Sequence, residues 1–383
     1  MKLILGIGVV GKASIEYFSK ECLCFYDDIL KEYTNKAGVQ IPFFENWDEV
    51  DTVIVSPGFS TDHPMILEAI KRNIDIESDI SVFLKNEEMI GVKIGITGTN
   101  GKSTLCALLK YILGDLAEIG GNFGMSPLEF KKNCYYLLEL SSYQLHWLKE
   151  ESLKLLDIGV ITNIGNHHIK YHKTKSEYVR VKNKILNAHK SFYNFEIDEN
   201  LQYPKNKIFE QNQYKLALNI IVEILKVLNL DQEKALKKLE SYSPLKYRQQ
   251  VISDSPFIVN DSKATNYESM FCALDNMRKD FVLINQIYDY SFNEEGFDIH
   301  SNPFLQKIFI LSNQEIVNLK LPFFVSNDFE QVVKEAFRYS KEKDLGLLFS
   351  PGFQSFEFFK NFEKRGEVFD EIIKFLLEGK NDF

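Results

Sequence analysis

The chain has 383 residues, of which 45% are hydrophobic and 26% charged, with a formal net charge of −9. That balance supplies two or three buried cores and excludes a disordered chain. The acidic total argues against nucleic acid as the main partner, although local basic pockets for phosphates remain compatible with it.

Residues 1–90 read as a first α/β unit. The apolar strand Leu3–Leu5 runs into Gly6-Ile7-Gly8-Val9-Val10-Gly11, a Gly-x-Gly-x-x-Gly turn opening a helix. Such a turn sets a nucleotide's phosphates on a helix N-terminus. Taken alone, it suits NAD, FAD, a nucleotide diphosphate or a purely structural tight turn. A second strand, Cys22–Tyr26, ends at Asp27-Asp28, where an acid can meet a ribose hydroxyl. A third, Asp51–Val55, runs into Ser56-Pro57-Gly58, a forced turn at the strand end where α/β sheets bind ligands. Met65–Lys71 is predicted helical and Ile74–Ile76 extended, and Glu77-Ser78-Asp79 starts another helix. The polar stretch from Lys85 to Gly91 marks a domain boundary.

Residues 91–244 read as a second domain. The strand Val92–Ile96 leads into Gly98-Thr99-Asn100-Gly101-Lys102-Ser103-Thr104 and then the helix Leu105–Leu113. Ile96 stands where the strict P-loop has its first glycine, so the shorter Gly-x-x-Gly-Lys-Ser-Thr is what this chain carries. The glycines let the backbone wrap an anion, Lys102 adds a point charge, and Ser103 or Thr104 offers a hydroxyl to Mg²⁺. Gly120–Gly124 is a turn with Asn122 at its centre. Tyr135–Leu140 is an apolar strand except for Glu139, a buried carboxylate that needs either a neighbouring lysine or Mg²⁺. After the strand Ile158–Ile161 come Thr162-Asn163-Ile164 and then His167, His168 and His172. No cysteine or carboxylate stands near them at zinc-ligand spacing. Lys182 lies fourteen residues after His168 in a basic helical stretch, and a helix is predicted over Asn212–Leu228.

Residues 245–383 read as a third domain. Tyr247-Arg248 opens it, and the strand Phe257–Val259 leads into Asn260-Asp261-Ser262-Lys263-Ala264-Thr265-Asn266. The strand Phe281–Ile284 is followed by Asn285-Gln286, and Leu347–Phe349 by Ser350-Pro351-Gly352. Residues 354–366 read as an amphipathic aromatic helix packing on a sheet. The five cysteines are too sparse for a disulfide scaffold. No stretch has transmembrane length or signal-peptide form, so a cytoplasmic, monomeric protein without a membrane partner is expected.

The short phosphate loop, Glu139-Leu140-Ser141-Ser142-Tyr143-Gln144-Leu145, the Asn260–Asn266 string and Ser355-Phe356-Glu357 through Asn361-Phe362 to Arg365-Gly366 stand in this order along the chain. Together they resemble the Mur ligases, the peptidoglycan amino-acid ligases, and among these the D-glutamate-adding branch. The resemblance covers nearly the whole chain. It implies three α/β domains: a Rossmann-like UDP-binding domain (1–90), a central P-loop-type ATPase domain with a mostly parallel sheet (91–244) and a C-terminal Rossmann-like domain (245–383).

By the same resemblance, Gly8, Val9, Val10, Asp27, Ser56, Pro57, Gly58, Asn122, Ser141, Gln144 and His168 would face the UDP substrate. ATP would lie on Gly98 to Thr104, Asn212, Arg248 and Asp261. One Mg²⁺ would use Ser103 and Glu139, and a second His168 with a carbamylated Lys182. Lys102, His168, Lys182, Arg248 and Lys263 would be catalytic. Thr265, Ser355 and the amides of Phe356 and Phe362 would hold D-glutamate. The implied reaction joins D-glutamate to UDP-N-acetylmuramoyl-L-alanine through an acyl phosphate made with ATP.

Beside a shorter section from Asn187 to Gln211 and His167 in place of an Asn/Asp, this chain departs from the family pattern in three places. Lys170-Tyr171 replace an Asp-Arg pair, and Lys215 replaces an adenine-binding Asn. Asn285-Gln286 replace a Gly-Gly turn, and the carboxylate-binding cation after it is missing, leaving Lys263 or a nearby arginine as candidates for that work. A folylpolyglutamate-type or other Mur-type ligase, or a non-catalytic member of the fold, are the rival readings.

Overall fold

A computed structural model describes residues 1–165, 172, 174–193, 195–198, 201, 204–206, 209, 212–265, 267–286, 299, 302–314 and 321–379, with only the backbone described at 212, 213 and 268. The chain forms two compact units, Met1–Tyr242 and Ser243–Phe383.

The first unit opens with β1 (Lys2–Leu5), α1 (Val9–Tyr17), β2 (Leu23–Tyr26), a small hairpin of β3 (Tyr33–Thr34) and β4 (Gln40–Ile41), β5 (Thr52–Val55), α2 (Pro64–Lys71), β6 (Asp75–Glu77) and α3 (Asp79–Lys85). The four main strands pair in parallel in the order β2-β1-β5-β6. The order reverses between β1 and β5, so a crevice opens beyond their carboxyl ends. Short polar residues fix the helix starts. His63 Nδ1 accepts from Met65 N at 3.2 Å ahead of Pro64, and Ser78 and Ser81 form a capping box at α3.

The same unit continues with β7 (Val92–Thr97), α4 (Lys102–Leu113), β8 (Ala117–Gly121), β9 (Tyr135–Glu139), α5 (Ser142–Trp147), α6 (Glu150–Leu153), β10 (Ile158–Ile161), α7 (Lys175–Asn183), β11 (Lys190–Phe192), α8 (Asn212–Val227) and α9 (Gln232–Lys238). Its five strands are parallel in the order β11-β10-β7-β9-β8. Both faces of this sheet are covered, which is why its strands read as continuous apolar runs. Ile94 and Ile96 pack with Leu105 and Leu109 of α4 and Leu218 of α8, while Leu138 and Leu140 pack on the other face with Leu145 and Val181. Gly120 and Gly121, read from sequence as turn, end β8. Added Cβ atoms there would meet Met125 O at 2.4 Å and Glu139 O at 2.4 Å, so glycine lets the neighbouring backbone come close.

Within this unit the two sheets are joined. Ser126 Oγ donates to the fully buried Asp79 carboxylate at 2.7 Å, and Lys149 pairs with Asp75. Burial pushes the Asp79 carboxyl up to about 6, against the opposing bond from Ser126. A carboxyl with a raised folded pKa favours the native state while protonated, and that advantage is lost as pH rises from about 4 to about 6. Asp79→Asn should therefore flatten the fall in urea-derived stability across that range, a change of roughly 3 kcal/mol.

The second unit comprises β12 (Gln250–Asp254), β13 (Phe257–Asn260), α10 (Tyr267–Asn276), β14 (Phe281–Gln286), β15 (Leu305–Leu311), β16 (Phe323–Ser326), α11 (Phe329–Lys343), β17 (Gly346–Phe349) and α12 (Phe362–Leu377). Strand order is β12-β13-β17-β14-β15-β16, parallel except for the antiparallel edge strand β12.

Two sequence expectations change here. β14 runs two residues further than predicted, because Asn285 and Gln286 continue the parallel pairing with Ile310 and Leu311 of β15, and Gln286 N and the Asn285 side chain also bond Pro351 O. The aromatic run before Phe362 is not helical. Ser355 O accepts turn bonds from Phe358 N and Phe359 N, and Asn361 caps the helix by accepting from Lys364 N at 2.8 Å. Among the described residues, no helix is long and apolar enough to cross a membrane.

Candidate active site

The N-terminal crevice collects three predicted loops. Gly6 has φ +85°, and a Cβ on Gly11 would lie 1.8 Å from Gly6 O. The first and third glycines are thus required by the turn and the close helix–strand approach, while nothing lies within 4 Å of a Cβ on Gly8. Gly8 and Val9 present an exposed helix start. Ser56 Oγ donates to Gly6 O at 3.1 Å, binding the Ser56-Pro57-Gly58 turn to the glycine loop. Asp27 is also part of this scaffold: its carboxylate accepts from Ile7 N, Ile29 N and Leu30 N, each at 2.9 Å. Burial alone would push the Asp27 carboxyl up, but these donors outweigh it and hold it below the ordinary carboxylate range.

At the carboxyl end of β7, the phosphate loop is braced from β10. Thr162 Oγ1 donates to Asn100 O at 2.5 Å, Asn163 Oδ1 accepts from Asn100 N at 2.9 Å, and Asn163 O accepts from Thr99 N at 2.9 Å. Gly98 has φ +148°, and a Cβ there would lie 1.9 Å from Thr162 Oγ1. Gly98→Ala should therefore displace the loop and weaken nucleotide-phosphate binding to it by about 100-fold, as read by titration with a fluorescent nucleotide.

The ammonium of Lys102 donates to Gly98 O at 2.9 Å and Thr99 O at 3.0 Å, folded over the loop at the N-terminus of α4. Lys182 reaches the same loop from α7. It is 2% exposed, donates to Gly98 O at 2.8 Å and Thr97 Oγ1 at 3.3 Å, and stacks over the Tyr178 ring. Lys184 points elsewhere, donating to the carbonyls of Leu145, His146 and Leu148 behind α5.

Glu139 ends β9 beside this loop and is 2% exposed. Its Oε1 accepts from Asn122 Nδ2 at 2.8 Å, and its Oε2 is buried with no hydrogen-bond partner. A buried, unpartnered carboxylate oxygen beside a phosphate loop fits a divalent cation. Ser103, also buried, stands in the first turn of α4. Among the described residues, no three His, Cys, Asp or Glu side chains group as a metal cluster. His168, Lys170 and Tyr171 lie outside the described residues, as does the Asn212 side chain. His172 is buried, and burial with His146 nearby depresses it to about 4, so its imidazole is neutral near pH 7. Ser141 and Gln144 form a capping box at α5, with Ser141 N donating to Gln144 Oε1 at 3.0 Å.

In the second unit, the string after β13 lies at the centre of a polar network. Asp261, 4% exposed, accepts from Gln249 N at 3.1 Å and Ser350 Oγ at 2.8 Å. Lys263 Nζ sits 3.9 Å from the Phe362 ring centroid. Ser262 Oγ donates to Phe362 O at 2.9 Å. Arg365 is fully buried and donates to Ser262 O, Ser262 Oγ, Gln286 Oε1 and Phe353 O at 2.7–3.1 Å. Sequence reading gave Arg365 no role. The dense aromatic spacing around it was the available signal that this position faces inward. With four bonds committed, Arg365 does not supply the missing carboxylate clamp, and Gln286 fills the Gly-Gly position as its acceptor. Ser355 is buried, Thr265 is half-buried, and Phe356 is 73% exposed. Asn266 and residues 287–290 lie outside the described residues.

A family model for the Mur ligase middle domain matches residues 96–243. The chain is 30% identical to the UDP-N-acetylmuramoylalanine–D-glutamate ligase of Pseudothermotoga lettingae, with 98% of each chain covered. The chain belongs to the Mur ligase family. Solved Mur ligases share its fold. The UDP-N-acetylmuramate–alanine ligase MurC of Thermotoga maritima superposes with TM-score 0.57 at 15% identity over 97% of this chain and 99% of that one. A pseudomurein peptide ligase type C from Methanothermus fervidus gives 0.56 at 18% identity over 98% and 99%. The α/β architecture of this Mur ligase, with its mostly parallel sheets, is the fold class its sequence implies.

Proposed function

We propose that this Mur ligase joins D-glutamate to UDP-N-acetylmuramoyl-L-alanine with ATP, in peptidoglycan precursor synthesis. The observation that carries this reading is the phosphate loop with Lys102 above it and the bare Glu139 Oε2 beside it, in a chain whose D-glutamate-adding relative matches from end to end. The γ-phosphoryl of ATP passes to the alanyl carboxylate, releasing ADP. The D-glutamate amine then attacks the acyl carbon, loses a proton, and phosphate leaves as the amide forms.

Phosphoryl transfer asks the protein mainly for position and positive charge. Lys102 and the α4 N-terminus are proposed to supply these in the first unit; Arg248 and Lys263 are the cations proposed for the reaction in the second. Mg²⁺ on Ser103 and Glu139 would neutralise charge on the phosphates, with His168 and a carbamylated Lys182 holding a second ion. Asn122 keeps Glu139 oriented through Oε1. Gly8, Val9, Ser56 and Gly58 line the crevice proposed for the UDP group. Thr265, Ser355 and the Phe362 amide are proposed for the amino acid.

The test is phosphate release by the purified protein with ATP, Mg²⁺, UDP-N-acetylmuramoyl-L-alanine and a panel of amino acids. Turnover that depends on D-glutamate is expected. Equal or faster turnover with another amino acid, or none with D-glutamate, would overturn the assignment.

A further inference from the structure

We propose that Tyr247-Arg248-Gln249 forms a strained arch that aims Arg248, and that Asp261 is the positioning residue that pins it. Tyr247 and Gln249 have φ +60° and +44°, so left-handed residues bearing full side chains stand on both sides of Arg248. Such backbone persists only where its surroundings enforce it. Here every handle of the arch is held. Asp261 Oδ1 accepts from Gln249 N at 3.1 Å, Lys263 N donates to Tyr247 O at 2.9 Å, and Gln250 Oε1 accepts from Tyr247 N at 2.9 Å. Asn276 Nδ2 donates to Gln249 Oε1 at 2.8 Å. The Tyr247 ring lies flush on Gly366, where an added Cβ would come within 2.5 Å of it.

Asp261 turns both carboxylate oxygens inward, to Gln249 and to Ser350, and is 4% exposed. Its geometry is that of an anchor under the arch. Because Lys263 N is bonded to Tyr247 O, the same anchor keeps Arg248 and Lys263 in fixed relation. The inference rests on the proposed role of Arg248 in the reaction.

A double-mutant cycle on the full-length protein tests it, with phosphate release giving kcat and the ATP KM. Asp261→Asn keeps an acceptor for Gln249 N and should retain at least about tenfold more kcat than Asp261→Ala. Asp261→Ala should lose about 10- to 100-fold in kcat. Arg248→Ala should lose at least as much, and adding Asp261→Ala to it should cost little more, because both act through one guanidinium. Should Asp261→Ala not fold, Gln249→Gly takes its place in the same cycle, since it frees the strained backbone without touching the carboxylate. Asp261→Asn as damaging as Asp261→Ala would identify a charge contact and overturn the proposal, as would additive losses. Full activity in Arg248→Ala would overturn the role of Arg248 itself, a separate result.

Discussion

Lys102→Ala is expected to lower ATP-dependent phosphate release about 1000-fold or more while leaving the fold intact. The argument is local. The ammonium lies against the Gly98–Thr104 loop, held there by Gly98 O and Thr99 O. Those carbonyls hold it loosely enough for phosphate oxygens, being stronger acceptors, to capture it. In a water-poor site the charge it cancels during phosphoryl transfer cannot be supplied by solvent. The loop's shape is set by Thr162 and Asn163, so removing Lys102 leaves the cradle standing. Unchanged circular dichroism with lost turnover is the expected pair of results. Lys102→Arg should also be impaired, because a planar fork does not replace a compact charge. Full activity in Lys102→Ala would place the nucleotide elsewhere.

The largest stability effect is expected at Arg365. Arg365→Met should destabilise the second unit by about 3–5 kcal/mol in chemical denaturation. The guanidinium joins Ser262, Gln286 and Phe353, segments far apart in sequence, and each buried acceptor would lose its donor. Burial depresses Arg365 to about 9, with the Asp261 charge opposing part of that effect. The site thus already bears a desolvation cost that only its complete set of hydrogen bonds offsets. Lys at this position should recover little, since one ammonium cannot span acceptors on three segments. A loss below about 1 kcal/mol would mean that water replaces the guanidinium.

Much of this was legible in the sequence, for identifiable reasons. Buried parallel strands show as apolar runs, so β7, β9 and β10 were placed within a residue or two of their bounds. The glycine loops show because left-handed backbone and close approach admit little else, as at Gly6, Gly11 and Gly98. Glu139 stood out as a lone carboxylate in an apolar strand. What sequence could not reveal was which polar residues serve one another. Asp27, Ser141 and Gln144 looked free to meet a ligand, yet the fold gives each a partner in its own backbone. Asn285 and Gln286 looked like a lost turn, yet they extend β14 and tie it to the Pro351 loop and Arg365. The Asn285 and Gln286 pairings join residues 66 and 79 positions apart, and no local pattern encodes them.

The ties between Ser262 and Arg365 span 103 positions of chain. This bears on the order in which the protein is made. Everything needed for the first unit has left the ribosome once Tyr242 emerges, so that unit can fold while synthesis continues. The second unit must wait: Asn260 and Ser262 lack Gly366, Asp370 and Arg365 until a further 103 to 110 residues have been made. Until then Asn260 and Ser262 lack these hydrogen-bond partners, and the unit's central loop cannot close. A premature stop anywhere between Ser262 and Arg365 would therefore cost the whole second unit.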